Sequence, residues 1–260
     1  MTIKEVIDAL ERFAPLPLQE DYDNAGLQIG LTEANASGVL LCLDVTPEVI
    51  CEAEERGCNL IVSHHPLIFH GIKQLTDQDM VARCVRMAIE KGIAIYSAHT
   101  NLDNATGGVN YEIAQRLGAT VEDWLAPLPS GLGGSGVVAI LPEAEEPKQF
   151  LQRVKQTFGI ACLCTNRGPE ERKIKRIGIC GGAGDFLLTN AIDKQCDCFL
   201  TGEMHYHQYF GHEQDCWIGV MGHYQSEQFT IDLLHRVLSQ AHPTLRLIKT
   251  EINTNAINYI

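Results

Sequence analysis

The chain is short of three things. No apolar run approaches the roughly 18 residues that a membrane-spanning helix needs, and with 45% hydrophobic residues a soluble globular protein is expected. Basic residues are outnumbered: 20 Lys and Arg stand against 33 Asp and Glu, a formal net charge of −13. Such a surface repels phosphate backbones, which counts against nucleic acid as a partner. The small basic cluster of Lys173, Lys175 and Arg176 reads as a solvated strand start. Finally, ten cysteines contain no CxxC pair, so thiolate metal sites lack their usual spacing. Met1 to Ile7 lacks the basic start and apolar stretch of a signal peptide, which makes a cytoplasmic location and free thiols the expectation. Cys42, Cys180, Cys196 and Cys198 lie in apolar segments and read as small hydrophobes. Cys162-Leu163-Cys164 and Cys196-Asp197-Cys198 would each place two thiols on one strand face, the thiolate arrangement that stays open.

What is present is a regular alternation of strand and helix patterns, which argues for an α/β protein. Thr2 with Glu5 three residues later predicts a capped helix over 2–14, with Val6, Ile7, Leu10 and Phe13 on one face. A strand is expected at 39–43, and a helix from Pro47 to about Arg56 with Thr46 as N-cap. Leu60, Ile61 and Val62 form the next strand. A helix over 77–91 and a strand over 93–98 follow, then a helix near 109–117. The stretch 127–136, Pro-Leu-Pro-Ser-Gly-Leu-Gly-Gly-Ser-Gly, is the clearest composition break and suggests a domain junction. Beyond it come a strand at 137–141, a helix near 147–158, a strand at 176–180, a helix carrying Phe229, Leu233 and Val237, and a last strand at 245–249.

The two halves echo each other at a fixed offset, without gaps. Val39, Leu41 and Cys42 match Ile177, Ile179 and Cys180, and Cys58 to Ser63 resembles Cys196 to Thr201. Duplication of a βαβ unit accounts for this, and shared βαβ patterning is the alternative.

The chemistry-bearing residues gather at strand ends. His64 and His65 close one strand just before Pro66, which cannot continue it. Adjacent residues of a regular strand point to opposite faces, so both imidazoles can serve one site only if the chain has already turned. His99 and Asp103 lie beyond another strand. His223 and Glu227, four apart at a helix start, share a face. In open α/β sheets this edge is where ligands bind. Imidazole and carboxylate donors without thiolates suit zinc, manganese, iron, cobalt or nickel. Five or six such donors exceed one four-coordinate site and suit two metals about 3.5–4 Å apart. Taken singly, each residue has a plainer reading: a hydrogen-bonded surface histidine, a helical ion pair, a turn cap. His70, His212, His235 and His242 are assigned to that class.

At these residues the chain resembles the Nif-three-like family of dinuclear-metal hexameric proteins, also labelled GTP cyclohydrolase I type 2 homologs. The matching pieces are Asp23-Asn24-Ala25-Gly26-Leu27 with Gly30, Ser63-His64-His65-Pro66, His99-Thr100-Asn101-Leu102-Asp103, Thr201-Gly202-Glu203, and Gly222-His223 with Glu227. Tyr22 stands where the family often has tryptophan, and the length is that of the short form without an inserted domain. The resemblance implies two divalent cations per subunit held by His64, His65, Asp103, His223 and Glu227. Glu227 would bridge them, with a water or hydroxide between. His99 would lie behind the ligands or shuttle protons, and Glu203 and His205 would line the same cavity. It also implies two α/β domains with mixed sheets flanked by helices, residues 1–126 completed by 217–260 and residues 127–216, and a toroidal homohexamer.

The function expected is hydrolysis of a nucleotide-like small molecule, with His99 and Glu203 handling protons. A non-catalytic metal-binding scaffold acting through protein partners is the rival of another class. Nucleic acid processing is disfavoured by the charge.

Overall fold

In the computed structural model, which describes residues Met1–Ile260, the first helix shows how local chemistry sets the element ends. α1 (Ile3–Phe13) begins at Thr2, whose hydroxyl accepts from Glu5 N while the Glu5 carboxylate accepts from Thr2 N. That reciprocal cap satisfies two amides that the helix itself cannot. β1 (Gly26–Ile29), β2 (Val39–Cys42), α2 (Pro47–Glu55) and β3 (Leu60–Ser63) follow. α3 (Met80–Lys91) starts later than its pattern suggests because Asp79, not a residue near 77, caps it through Ala82 N at 3.0 Å. β4 (Ala94–Ser97), the single turn α4 (Thr100–Asp103) and α5 (Val109–Arg116) come next. The remaining elements are β5 (Thr120–Pro127), β6 (Gly134–Glu145), α6 (Pro147–Thr157), β7 (Cys164–Thr165), β8 (Ile174–Cys180), α7 (Leu188–Asp193), β9 (Cys198–Thr201), β10 (Trp217–Val220), α8 (His223–Glu227), α9 (Thr230–Ala241) and β11 (Leu247–Lys249). No helix is long and apolar enough to cross a membrane.

The chain forms two units, Met1–Leu102 with Thr230–Ala256, and Asp103–Phe229 with Ile257–Ile260. These bounds differ from the expected 1–126 with 217–260 and 127–216, and strand pairing gives the reason. Residues 127–136 are the end of a hairpin: β5 and β6 pair antiparallel from Thr120↔Ile140 to Pro127↔Gly134, and Leu128 N donates to Gly133 O. The glycines and prolines there serve a turn within one sheet. β10 lies in that same sheet, parallel to β9.

The first unit carries a mixed sheet of order β1-β4-β3-β2-β11, with only β1 antiparallel to its neighbour. β2, β3 and β4 are buried throughout, as parallel strands covered on both faces must be. Leu40, Ile61 and Ile95 pack with Val49, Ile50 and Ala53 of α2 and Val85 and Ala88 of α3. The second unit has the order β5-β6-β8-β9-β10-β7, with β8, β9 and β10 parallel. Val138, Phe199 and Ile218 pack there with Leu188 and Ala191 of α7.

The sequence echo extends to the hydrogen bonds. Val39↔Leu60 to Cys42↔Ser63 in the first unit and Ile177↔Cys198 to Cys180↔Thr201 in the second are the same register at corresponding positions. Cys58 N donates to Ala53 O and Cys196 N to Ala191 O. Ala94 N donates to Asn59 O, and Trp217 N to Asp197 O. The first unit therefore presents the carboxyl ends of four parallel strands as one edge, and the second those of three, where polar residues follow.

Candidate metal centre

In the first unit, β3 stops at Ser63 because its hydroxyl turns the chain. Ser63 Oγ donates to His65 O at 2.8 Å and lies 2.9 Å from Ser97 Oγ. The fold-back lets His64 and His65 face the same way, with ring centroids 4.9 Å apart. His99, just past β4, completes a triangle at 5.3 and 5.6 Å from those rings. One ligand atom from each of the three lies within 4.8 Å of the others, the arrangement that could hold a metal ion.

The decisive feature is what holds each ring. His64 is fully buried and its Nδ1 lies 2.8 Å from Ala98 O. A carbonyl only accepts, so Nδ1 carries the hydrogen and Nε2 the lone pair. His65 Nδ1 is 2.7 Å from Asp44 Oδ1, and His99 Nδ1 is 2.7 Å from Asp23 Oδ1. Both carboxyls are held below their usual range. Burial pushes Asp23 up, but the bonds to His99 and Thr100 outweigh it and bring it to about 2. Burial likewise opposes the fall of Asp44, which the bonds to His65 and Thr254 carry. Ionised carboxylates at Nδ1 again leave Nε2 as the donor nitrogen. A carboxylate or carbonyl behind each imidazole is the support that metal-binding histidines require.

These supports are themselves anchored. Asp44 Oδ2 accepts from Thr254 Oγ1 at 2.7 Å, which brings the C-terminal segment to the site. Asp23 Oδ2 accepts from Thr100 N at 3.1 Å and Thr100 Oγ1 at 2.5 Å. Asn101 accepts from His99 N and donates to Ala14 O, fixing the turn in which His99 sits. Asp103 ends the helical turn α4 that follows.

In the second unit the donors sit on a helix. His223 and Glu227 are the first and last residues of α8, with His223 Nε2 3.1 Å from Glu227 Oε2. His223 Nδ1 is 2.7 Å from Glu203 Oε1, so Glu203 supports this ring as Asp44 supports His65. Glu227 is buried at 4% exposure. Three glycines make room for it and for its helix. A Cβ at Gly182 would run into the Glu227 carboxylate, and one at Gly202 would lie 2.6 Å from Gly182 O. Gly222 precedes α8 at φ +93°, a conformation that favours glycine. Ser226 Oγ accepts from Gly182 N and donates to His223 O, tying α8 to the strand tips.

Among the expected residues, His64, His65 and His99 thus meet in the first unit, and His223, Glu227 and Glu203 meet in the second. His205 is exposed and bonded to Asp185 instead. His212 pairs with Asp215, and His242 with Glu5 O, as ordinary surface groups do. The ten cysteines are all free. Cys162 and Cys164 are both exposed, and Cys196 and Cys198 are both buried. Sequence reasoning missed Asp44 and Thr254, and gave Asp23, which opens one of the matching motifs, no role in the site. Asp44 had a signal in being a carboxylate two residues past a buried strand, whereas Thr254 had none.

The chain is similar to known proteins along its whole length. The family described as Duf34/NIF3 (NGG1p interacting factor 3) matches residues 1–256. A protein of Clostridium acetobutylicum named GTP cyclohydrolase 1 type 2 homolog is 33% identical over 260 residues, covering 98% of this chain and 94% of that one. A Streptococcus pneumoniae protein of the same name is 30% identical over 268 residues and covers all of both chains. The crystal structure of the Staphylococcus aureus hypothetical protein SA1388 superposes with a TM-score of 0.91 at 26% identity, covering 100% of this chain and 99% of that one.

Proposed function

Since the chain belongs to the Duf34/NIF3 family, and its imidazoles are each held through Nδ1, we propose that it is a dinuclear divalent-metal protein acting as a hydrolase on a nucleotide-like substrate. The supported rings carry this reading, because His64, His65 and His223, each held at Nδ1, offer Nε2 to a divalent cation, while His99, held the same way, offers its Nε2 to a proton. His64, His65, Asp103, His223 and Glu227 would hold two cations, of zinc, manganese, iron, cobalt or nickel type given oxygen and nitrogen donors. When bound, such a pair supplies an activated water at neutral pH and polarises the centre under attack.

The protein's own part is positioning and proton handling. His99, backed by the ionised Asp23, accepts a proton at Nε2 and returns it to the leaving group. Glu203 orients His223 and stands exposed at the rim, where it exchanges protons with water. The curated relatives named GTP cyclohydrolase 1 type 2 homolog favour a purine nucleotide among substrates. A cytoplasmic location accords with ten free thiols, and a toroidal homohexamer with the family resemblance. Light scattering measures the assembly directly.

The first test is metal content per protomer, by elemental analysis of untagged protein beside an Asp103→Ala/Glu227→Ala variant. About two divalent ions, lost in the variant, are expected. Absence of metal after reconstitution overturns the reading. Glu227→Gln should then abolish hydrolysis while leaving the fold intact, and an undiminished rate would sink the mechanism. Filled metal sites with no turnover across a nucleotide and phosphoester panel would favour the scaffold alternative.

A further inference from the structure

The loop after Pro66 carries two features that the metal centre does not use. Phe69 is 37% exposed, and its ring lies 6.1 Å from His99 and 6.4 Å from the 65% exposed Tyr22, edge to face with both. Phe69 and Tyr22 form an aromatic step fixed beside an imidazole, and such a step offers a π-face on which a planar ligand can stack. Phe69 also lines a cavity of about 540 Å³, within the size range of small-ligand pockets. The cavity floor is apolar and rooted in the core through Leu67, Ile72 and Val81. Its polar lining includes His70 and Lys73.

The loop is held in place. Asn24 Nδ2 donates to Ile68 O at 2.6 Å, Ile68 N donates to Gln28 Oε1 at 2.7 Å, and Gln28 Nε2 donates back to Asn24 O at 2.6 Å. This closed set of three bonds fixes the residue before Phe69 against the segment that carries Asp23. The aromatic ring is therefore positioned relative to His99 by the same stretch that orients His99 itself. Asp79, the one carboxylate on the lining, is engaged as the cap of α3 through Ala82 N.

A flat apolar surface beside a cation, one ring away from an imidazole with a carboxylate behind it, selects a ligand by shape and charge. We propose that Phe69, with Tyr22 at its edge, stacks a planar nitrogen heterocycle, and that Lys73 and His70 receive an anionic group borne by the same molecule. This rests on the hydrolase reading and adds to it a specificity subsite for a purine-type monophosphate. Stacking favours any π-face, and the lysine acts as a point charge, so the two parts are separable by experiment.

The test is calorimetric titration of the full-length, metal-loaded protein with three probes: guanosine 5′-monophosphate, guanosine and ribose 5-phosphate. Phe69→Leu keeps apolar bulk without a ring, so it should weaken the monophosphate and the nucleoside by about tenfold and leave ribose 5-phosphate unchanged. Lys73→Ala should weaken the two phosphates and spare guanosine. Metal content is expected to be unchanged in both variants. Wild-type protein that binds none of the probes, or prefers ribose 5-phosphate, overturns the subsite, as does a Phe69→Leu affinity within about twofold of wild type. Ring-dependent binding without any turnover would leave the subsite standing and remove the hydrolase reading. Turnover with an unaltered KM in Phe69→Leu would do the reverse.

Discussion

Positions 44, 64 and 65 of the first unit correspond, through the sequence echo, to positions 182, 202 and 203 of the second, and the same backbone frame carries opposite chemistry at them. In the first, Asp44 on one strand end supports His65 on the next, and the donors are imidazoles on the strand tips themselves. In the second, Gly182 and Gly202 occupy those places, and their missing side chains admit α8 with His223 and Glu227. Position 65 is a histidine and position 203 a carboxylate that supports a histidine. A repeated βαβ edge thus supplies either the donor or the space for one. Position in a parallel sheet decides where a side chain can reach, and residue size decides which element reaches.

The sharpest way to break this comparison is to add a methyl group in the second unit. Gly182→Ala places a Cβ at φ +61° against the Glu227 carboxylate, and should destabilise the protein by about 3 kcal/mol, read by urea denaturation. A loss under about 1 kcal/mol would show that α8 can retreat and that the glycine is not a spacer.

On the other side, Asp44→Asn keeps the shape and removes the charge behind His65. Metal affinity should fall by about 10–100-fold, measured against a competing chelator, with a smaller change in stability. Equal metal affinity would mean that the ring is held by packing alone.

The acid limb of the stability curve sharpens the contrast further. Asp23 titrates at about 2 in the folded chain, below its ordinary 3.8. A depressed carboxyl stabilises the fold above its unfolded value and loses that contribution as pH falls through the folded one. The window is thus from about pH 4 down to about pH 2, and the contribution about 2 kcal/mol. Asp23→Asn should flatten the decline in unfolding free energy between about pH 4 and pH 2, and an unaltered slope would contradict it. The smallest effect is expected for Thr254→Val, which removes one hydroxyl from Asp44. It should lower metal affinity only severalfold and stability by about 1 kcal/mol. A larger fall would make the C-terminal segment a principal support of His65.

Much of the frame was legible in order. Thr2 with Glu5 announced the first cap, Thr46-Pro47 the second helix, and apolar runs the buried strands, because caps and periodicity are local effects. The Gly- and Pro-rich 127–136 misled as a domain junction, since composition marks a turn without saying whether its flanks pair. His205, which the family resemblance put in one cavity with Glu203, is exposed, and its ring bonds Asp185.

By itself the sequence determined the α/β alternation, the echo between its halves and the gathering of histidines and carboxylates at strand ends, because these depend on residue type and spacing along the chain. Only the tertiary structure decided which nitrogen each imidazole offers. That choice belongs to Asp23, Asp44, Ala98 and Glu203, all of them remote in sequence from the histidines they hold. Hydrogen bonds between residues so far apart follow from sheet register and packing, and no local pattern encodes them.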